Sequence, residues 1–168
     1  MFKPGNVLYG TFKLSNICTK PKYAIILHND GQDCVLATYT TSKKRSGVSD
    51  YVHGKNPSGS NDPKSYVFLA SKDVGTYKDG NGVTQSFRFP EDSTVVPDYG
   101  YTKTSTHSLS LNVPDLTFIC SLFEKEYLDL IYTLYQSTSV ITANSSRSRC
   151  VRPSRYSQPK SVSSPVAA

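Results

Sequence analysis

The sequence predicts a mainly β domain with one helix near its C-terminal end, on three observations. Short runs of alternating or β-branched residues recur as far as Val96, turn residues punctuate them, and one segment after Ser121 carries apolar residues at helical spacing. Composition agrees, because 12 tyrosines, 10 glycines and 10 prolines, with one methionine and no tryptophan, suit half-buried strands joined by turns. With 168 residues, 37% of them hydrophobic, the chain has room for one domain of ordinary size.

Taken in order, Phe2–Phe12 opens with the Pro4-Gly5 turn signal and then alternates Val7, Tyr9, Thr11 against Leu8, Gly10, Phe12, which reads as a strand. Tyr23–His28 is a short apolar run and Cys34–Thr41 a β-branched one. Between them Asn29-Asp30-Gly31 tolerates positive φ, so the two runs form a hairpin. Residues 42–64 are polar and broken by Gly47, Gly54, Pro57, Gly59 and Pro63, an exposed loop of unusual length. Ser65–Ser71 is a further strand. The Asp79-Gly80-Asn81-Gly82 turn leads into Gln85–Phe89, whose Phe87 and Phe89 share a face, and Thr94–Val96 is a short β segment ended by Pro97.

A polar stretch over 98–110 precedes the apolar run Leu116–Cys120. Ser121 and Glu124 have the spacing of a capping box, so a helix is expected from about Leu122, packing one face on the sheet through Phe123, Tyr127, Leu130, Ile131 and Leu134. From residue 138 to 168 Ser, Thr, Arg and Pro dominate, and the apolar residues are too few to offset ordering entropy. The expected organisation is therefore a domain over 1–137 and a basic, disordered tail over 138–168.

The formal charge is +6, but Arg147, Arg149, Arg152, Arg155 and Lys160 all lie in that tail, and the rest of the chain holds 14 basic residues against 13 acidic. Global charge therefore gives no argument for a polyanion partner. Cys18, Cys34, Cys120 and Cys150 form no C-x-x-C pair and follow no secretory signal, so they are expected as reduced thiols in a cytoplasmic protein. His28, His53 and His107 add no metal-binding spacing, and no metal or cofactor is expected. The apolar runs fall short of the roughly 20 residues that span a bilayer, so no membrane anchor is expected; that alone does not exclude a membrane partner, though none is among the partners expected.

Four segments, in order, resemble the MazF/PemK toxin family: Pro4–Phe12 (PGNVLYGTF), Lys22–Asp30 (KYAIILHND), Val35–Lys43 (VLATYTTSK) and Phe87–Val96 (FRFPEDSTVV). The similarity covers about residues 2–45, then 85–97, then the helix, and leaves out the long loop and the tail. The resemblance implies a small SH3-like barrel with a C-terminal helix. It also implies an endoribonuclease that cuts single-stranded RNA without a metal, works as a homodimer and is neutralised by an antitoxin protein.

Such a reaction uses the 2′-hydroxyl as nucleophile and needs a base for it, a cation for the charge gathering on phosphorus and an acid for the leaving oxygen. The family's arginine at the start of the second strand falls on Lys22, and its hydroxyl positions fall on Thr40, Thr41 and Ser42. A slip of two residues would align Lys20-Pro21 instead, while Lys22 keeps the distance to Asn29. Lysine departs from the pattern, because an ammonium lacks the fork with which a guanidinium grips two phosphate oxygens. Lys22, Thr41 and Ser42 are the catalytic candidates; Thr40, Lys43, Lys44, Arg45 and His28 are candidates for holding RNA. Tyr51 and His53 in the long loop offer rings for stacking on unpaired bases. The competing expectation is a barrel without catalysis that binds RNA or a protein, and a third is a regulatory protein whose basic tail alone contacts nucleic acid.

Overall fold

The computed structural model describes residues 1–15, 18–32, 34–37, 40–42, 51–97 and 101–137. The chain runs β1 (Asn6–Ser15), β2 (Cys18–Asn29), β3 (Cys34–Ala37), β4 (Gly54–Asn56), β5 (Ser65–Phe68), β6 (Gly75–Lys78), β7 (Thr84–Phe87) and β8 (Ser93–Val95). The described residues continue with β9 (Tyr101–Thr104), α1 (Thr106–Asn112), β10 (Thr117–Leu122) and α2 (Glu124–Gln136). A seven-stranded antiparallel sheet has the order β7-β6-β10-β1-β2-β3-β9, and a three-stranded one the order β4-β5-β8. Thr41 joins the small sheet through an antiparallel bridge to Thr94.

The central hairpin β1–β2 is buried on both faces, which explains why Tyr23–His28 is a continuous apolar run rather than an alternating one. On one face Val7, Ile25, Cys120 and Leu122 pack with Tyr66, Phe68 and Val95 of the small sheet and Leu130 of α2. On the other, Leu8, Phe12, Ala24 and Ile26 pack with Leu109 and Val113 on and just after α1. Each fully buried side chain of this kind contributes about 1.5–3 kcal/mol.

The hairpin between β2 and β3 forms as the turn residues demand. Gly31 has φ 93°, the Asn29 Oδ1 accepts the Gly31 N–H at 2.9 Å, and the Asp30 Oδ1 accepts the Gln32 N–H at 2.9 Å. Strands also stand where the runs at 65–71 and 94–96 place them.

Several expectations are corrected. The closed barrel is not formed by the described residues: β7 and β9 end the large sheet and do not pair with each other. Closure requires the outermost strands to share a ladder at matched tilt and stagger. Here β7 instead turns Thr84, Gln85 and Ser86 to solvent. The capping box at Ser121 does not form either. Ser121 belongs to β10, pairs with Asn6 and Thr76, and donates its hydroxyl to the Asn6 Oδ1 at 2.8 Å; α2 is capped by Phe123 with no side-chain bond. Strand pairing on both sides outcompetes one cap.

The polar stretch contains β9 and a second helix, α1, whose Ser105 accepts the Ser108 N–H as N-cap. The loop over 42–64 is only partly a loop. Its second half supplies β4 and the buried Asn56, whose amide donates to the Val52 and Gly54 carbonyls at 2.8 Å each. No helix among the described residues is long and apolar enough to cross a membrane. The tail expected over 138–168 lies outside the described residues.

Candidate functional site

Lys22 sits on β2 opposite Gly10 of β1, on the face that also carries Leu8, Phe12 and Ala24. Gly10 is required there, since a Cβ would stand 2.6 Å from the Val113 Cγ1 and 3.3 Å from the Leu116 backbone. Lys22 is half-buried and its Nζ donates to the Thr40 carbonyl at 3.4 Å. The Thr40 N–H donates to the Tyr23 carbonyl at 3.1 Å, and Thr41 exchanges backbone bonds of 3.0 and 2.9 Å with Thr94. The fold thus brings the cation of Lys22 to the segment carrying Thr40, Thr41 and Ser42. Within it Thr40 and Thr41 are 4% and 9% exposed, while Ser42 is open to solvent.

His28 does not join this group. It is half-buried opposite Val35, six positions along β2 from Lys22, a separation of roughly 20 Å at strand rise. Lys43, Lys44 and Arg45 lie outside the described residues. On the opposite face from Lys22, Tyr9 and Tyr23 pair across the strands with ring centroids 4.9 Å apart, and Tyr23 meets Phe89 edge-on at 5.1 Å. Burial, and then the neighbouring Tyr9 and Cys120, push the Tyr23 phenol up from its ordinary value, so it stays neutral.

A second group lies where β4 and β5 meet α2. The His53 Nε2 stands 3.0 Å from both carboxylate oxygens of Glu126, and the Tyr66 hydroxyl donates to the Glu126 Oε2 at 2.8 Å. The Leu69 N–H donates to the His53 Nδ1 at 3.2 Å, which leaves the proton of a neutral ring on Nε2, facing Glu126. Glu126 is 8% exposed, so its charge is tolerated because these donors surround it. Burial, and then the hydrogen bond to Glu126, push the Tyr66 phenol far up, so it remains a donor.

Sequence reasoning placed His53 as a loop ring open to bases, whereas it turns into the fold. Glu126 and Tyr66 were not singled out at all. The buried line of α2 is Glu126, Leu130 and Thr133, about one residue around the helix from the expected stripe. Tyr127 and Leu134 pack at its margin, and Phe123 is 39% exposed. Two polar residues on the covered face hide it from an apolar count, and nothing in sequence spacing links Glu126 to His53. Among the described residues no group of three or more His, Cys, Asp or Glu side chains stands close enough to hold a metal ion. No protein-family model, no curated protein and no solved structure matches this chain.

Proposed function

We propose that the protein acts on single-stranded RNA at the rim formed by Lys22, Thr40, Thr41 and Ser42, cleaving it without a metal in the manner of the MazF/PemK toxins that its sequence resembles. The observation carrying this reading is the Lys22 Nζ at 3.4 Å from the Thr40 carbonyl, a cation held against the hydroxyl-bearing end of the third-strand segment. Charge supports it: residues 1–29 contain Lys3, Lys13, Lys20 and Lys22 and no Asp or Glu, so the first hairpin presents a positive field to a phosphate chain. In the reaction the 2′-oxygen bonds to the adjacent phosphorus and the 5′-oxygen leaves. The products are a cyclic phosphate and a free 5′-hydroxyl, with Lys22 countering charge on the phosphoryl oxygens. On this reading the chain is a cytoplasmic homodimer whose activity an antitoxin protein neutralises.

A second reading, a module that binds RNA or a protein without cutting, is favoured by one observation. Thr40 and Thr41 are buried and their backbones are committed to Tyr23 and Thr94, which leaves the Ser42 hydroxyl as the exposed one of the three. Incubating the purified chain with single-stranded RNA in the presence of a chelator separates the two. Cleavage that Lys22→Ala abolishes supports the first; binding with intact RNA supports the second; neither binding nor cleavage removes both.

A further inference from the structure

Between α2 and the β4–β5 pair the surface opens into a cleft of about 280 Å³, lined among others by His53, Lys55, Tyr66, Lys125, Tyr132 and Thr133. Its construction follows from register. Lys55 and Tyr66 are directly opposite on β4 and β5, so both rise on the face that α2 covers. Gly54, with φ 95°, adds bare backbone to the wall. From the helix, Thr133 is 1% exposed and forms the floor, while Tyr132, 57% exposed, offers its ring at the mouth.

The chemistry of the lining is aromatic and cationic. The Lys55 Nζ donates to the Gln136 Oε1 at 3.2 Å and the Lys125 Nζ to the Asp129 Oδ2 at 2.8 Å, so an oriented ammonium stands on each wall. Asp129 is the one carboxylate of the lining. Glu126 lies beneath it, already taken by His53 and Tyr66, and those bonds fix the His53 ring as a rigid wall.

We infer that this cleft binds a single nucleotide unit, its base against the Tyr132 ring and its phosphate between Lys55 and Lys125. Ammonium groups are suited to phosphate as point charges, and tyrosine rings accept any base by stacking. Size sets the limit of one unit, because small-molecule pockets span about 300–1,000 Å³ and this cleft falls just below that range. The unit comes either from a free mononucleotide or from an RNA strand that also occupies the Lys22 rim. The latter source rests on the function proposed above. Thr41, Thr94, Val67 and Gly54 occupy successive rungs of the small sheet, so rim and cleft lie about 14 Å apart, within reach of one strand.

The test titrates the full chain with adenosine and uridine 5′-monophosphate, with inorganic phosphate and with a labelled single-stranded RNA. Ring resonances of Tyr132 and His53 are followed by NMR, and Tyr132→Ala and Lys55→Gln are run in parallel. Tyr132 is mostly exposed, so its truncation leaves the fold in place, which a thermal melt checks. A mononucleotide that shifts both rings, and binds Tyr132→Ala at least about fivefold more weakly, supports the free source. Ring shifts produced by RNA alone, with the same loss of RNA affinity, support the strand source. Unmoved rings with unchanged affinities, or inorganic phosphate reproducing the whole response, overturn the inference. RNA cleavage lost in Lys22→Ala but untouched in Tyr132→Ala, with no mononucleotide binding, sinks the cleft and leaves the rim. Mononucleotide binding by a chain that never engages RNA does the reverse.

Discussion

His53 and Glu126 stand 73 positions apart in the chain, yet the ring Nε2 of one lies 3.0 Å from both carboxylate oxygens of the other. This contact ties the segment entering β4 to α2, and with Tyr66 it turns three polar side chains into one satisfied group. The expected cost of breaking it is graded. Tyr66→Phe removes one donor and destabilises by about 1–1.5 kcal/mol, whereas Glu126→Ala strands two donors and destabilises by about 3 kcal/mol. Urea titration reads both; a Glu126→Ala protein as stable as the parent refutes the assignment.

Stability falls with alkali above an identifiable point. Burial pushes the Cys120 thiol from the ordinary value of 9.0 up to about 12. Between those values the unfolded thiol has ionised and the folded one has not, so the folded state binds more protons and loses ground as pH rises. Below 9.0 the contribution is fully present; above it, this group costs about 1.4 kcal/mol per pH unit until about 12. Cys120→Val removes that slope from a pH series of urea melts, and an unchanged slope contradicts the burial of the thiol.

Gly75 is confined by the neighbouring strand. A Cβ there presses into the Ser121 carbonyl and stands 3.0 Å from the Leu122 Cα, so Gly75→Ala is expected to cost about 1–3 kcal/mol as β6 and β10 separate. At Gly80 a Cβ meets nothing within 4 Å, and Gly80→Ala stays within about 0.5 kcal/mol of the parent. Equal effects at the two positions speak against the β6–β10 register.

The RNA binding proposed for the rim has an expected signature in salt. If Lys22 neutralises one phosphate of a single strand, Lys22→Ala lowers the slope of log affinity against log salt by about 0.7. On the proposed cleavage reading, Lys22→Arg is expected to restore a forked grip and to raise cleavage over the parent. A salt slope indifferent to position 22 removes the residue from the interface.

What could be read from the sequence follows where local signals and tertiary pairing agree. The strand at Val7–Phe12, the Asn29-Asp30-Gly31 hairpin and the last helix each carried a local pattern strong enough to stand alone. β6 and α1 did not. Gly75–Lys78 is a strand because β10 and β7 pair with it, and α1 has few apolar positions beyond Leu109 to mark a buried face. Ser121-Glu124 matched a helix start in spacing, but the ladders to Asn6 and Thr76 claimed that residue for β10. At the rim, alignment on Asn29 was sufficient to expect Lys22 and the Thr40 segment side by side, and the 3.4 Å bond from the Lys22 Nζ to the Thr40 carbonyl joins them. Around Glu126 it was not, because a buried carboxylate is legible only once the donors from two other elements are in place.

β10, though it enters near the end of the domain, lies between β6 and β1 in the middle of the large sheet. A ribosome must therefore release almost the whole domain before the sheet can be zipped shut. Until Leu122 emerges, the hydrophobic flanks of β1 wait without their partner, and a product terminated earlier exposes them to aggregation. Whatever the protein does in the cell, it starts doing it only once β10 has taken its place between β6 and β1.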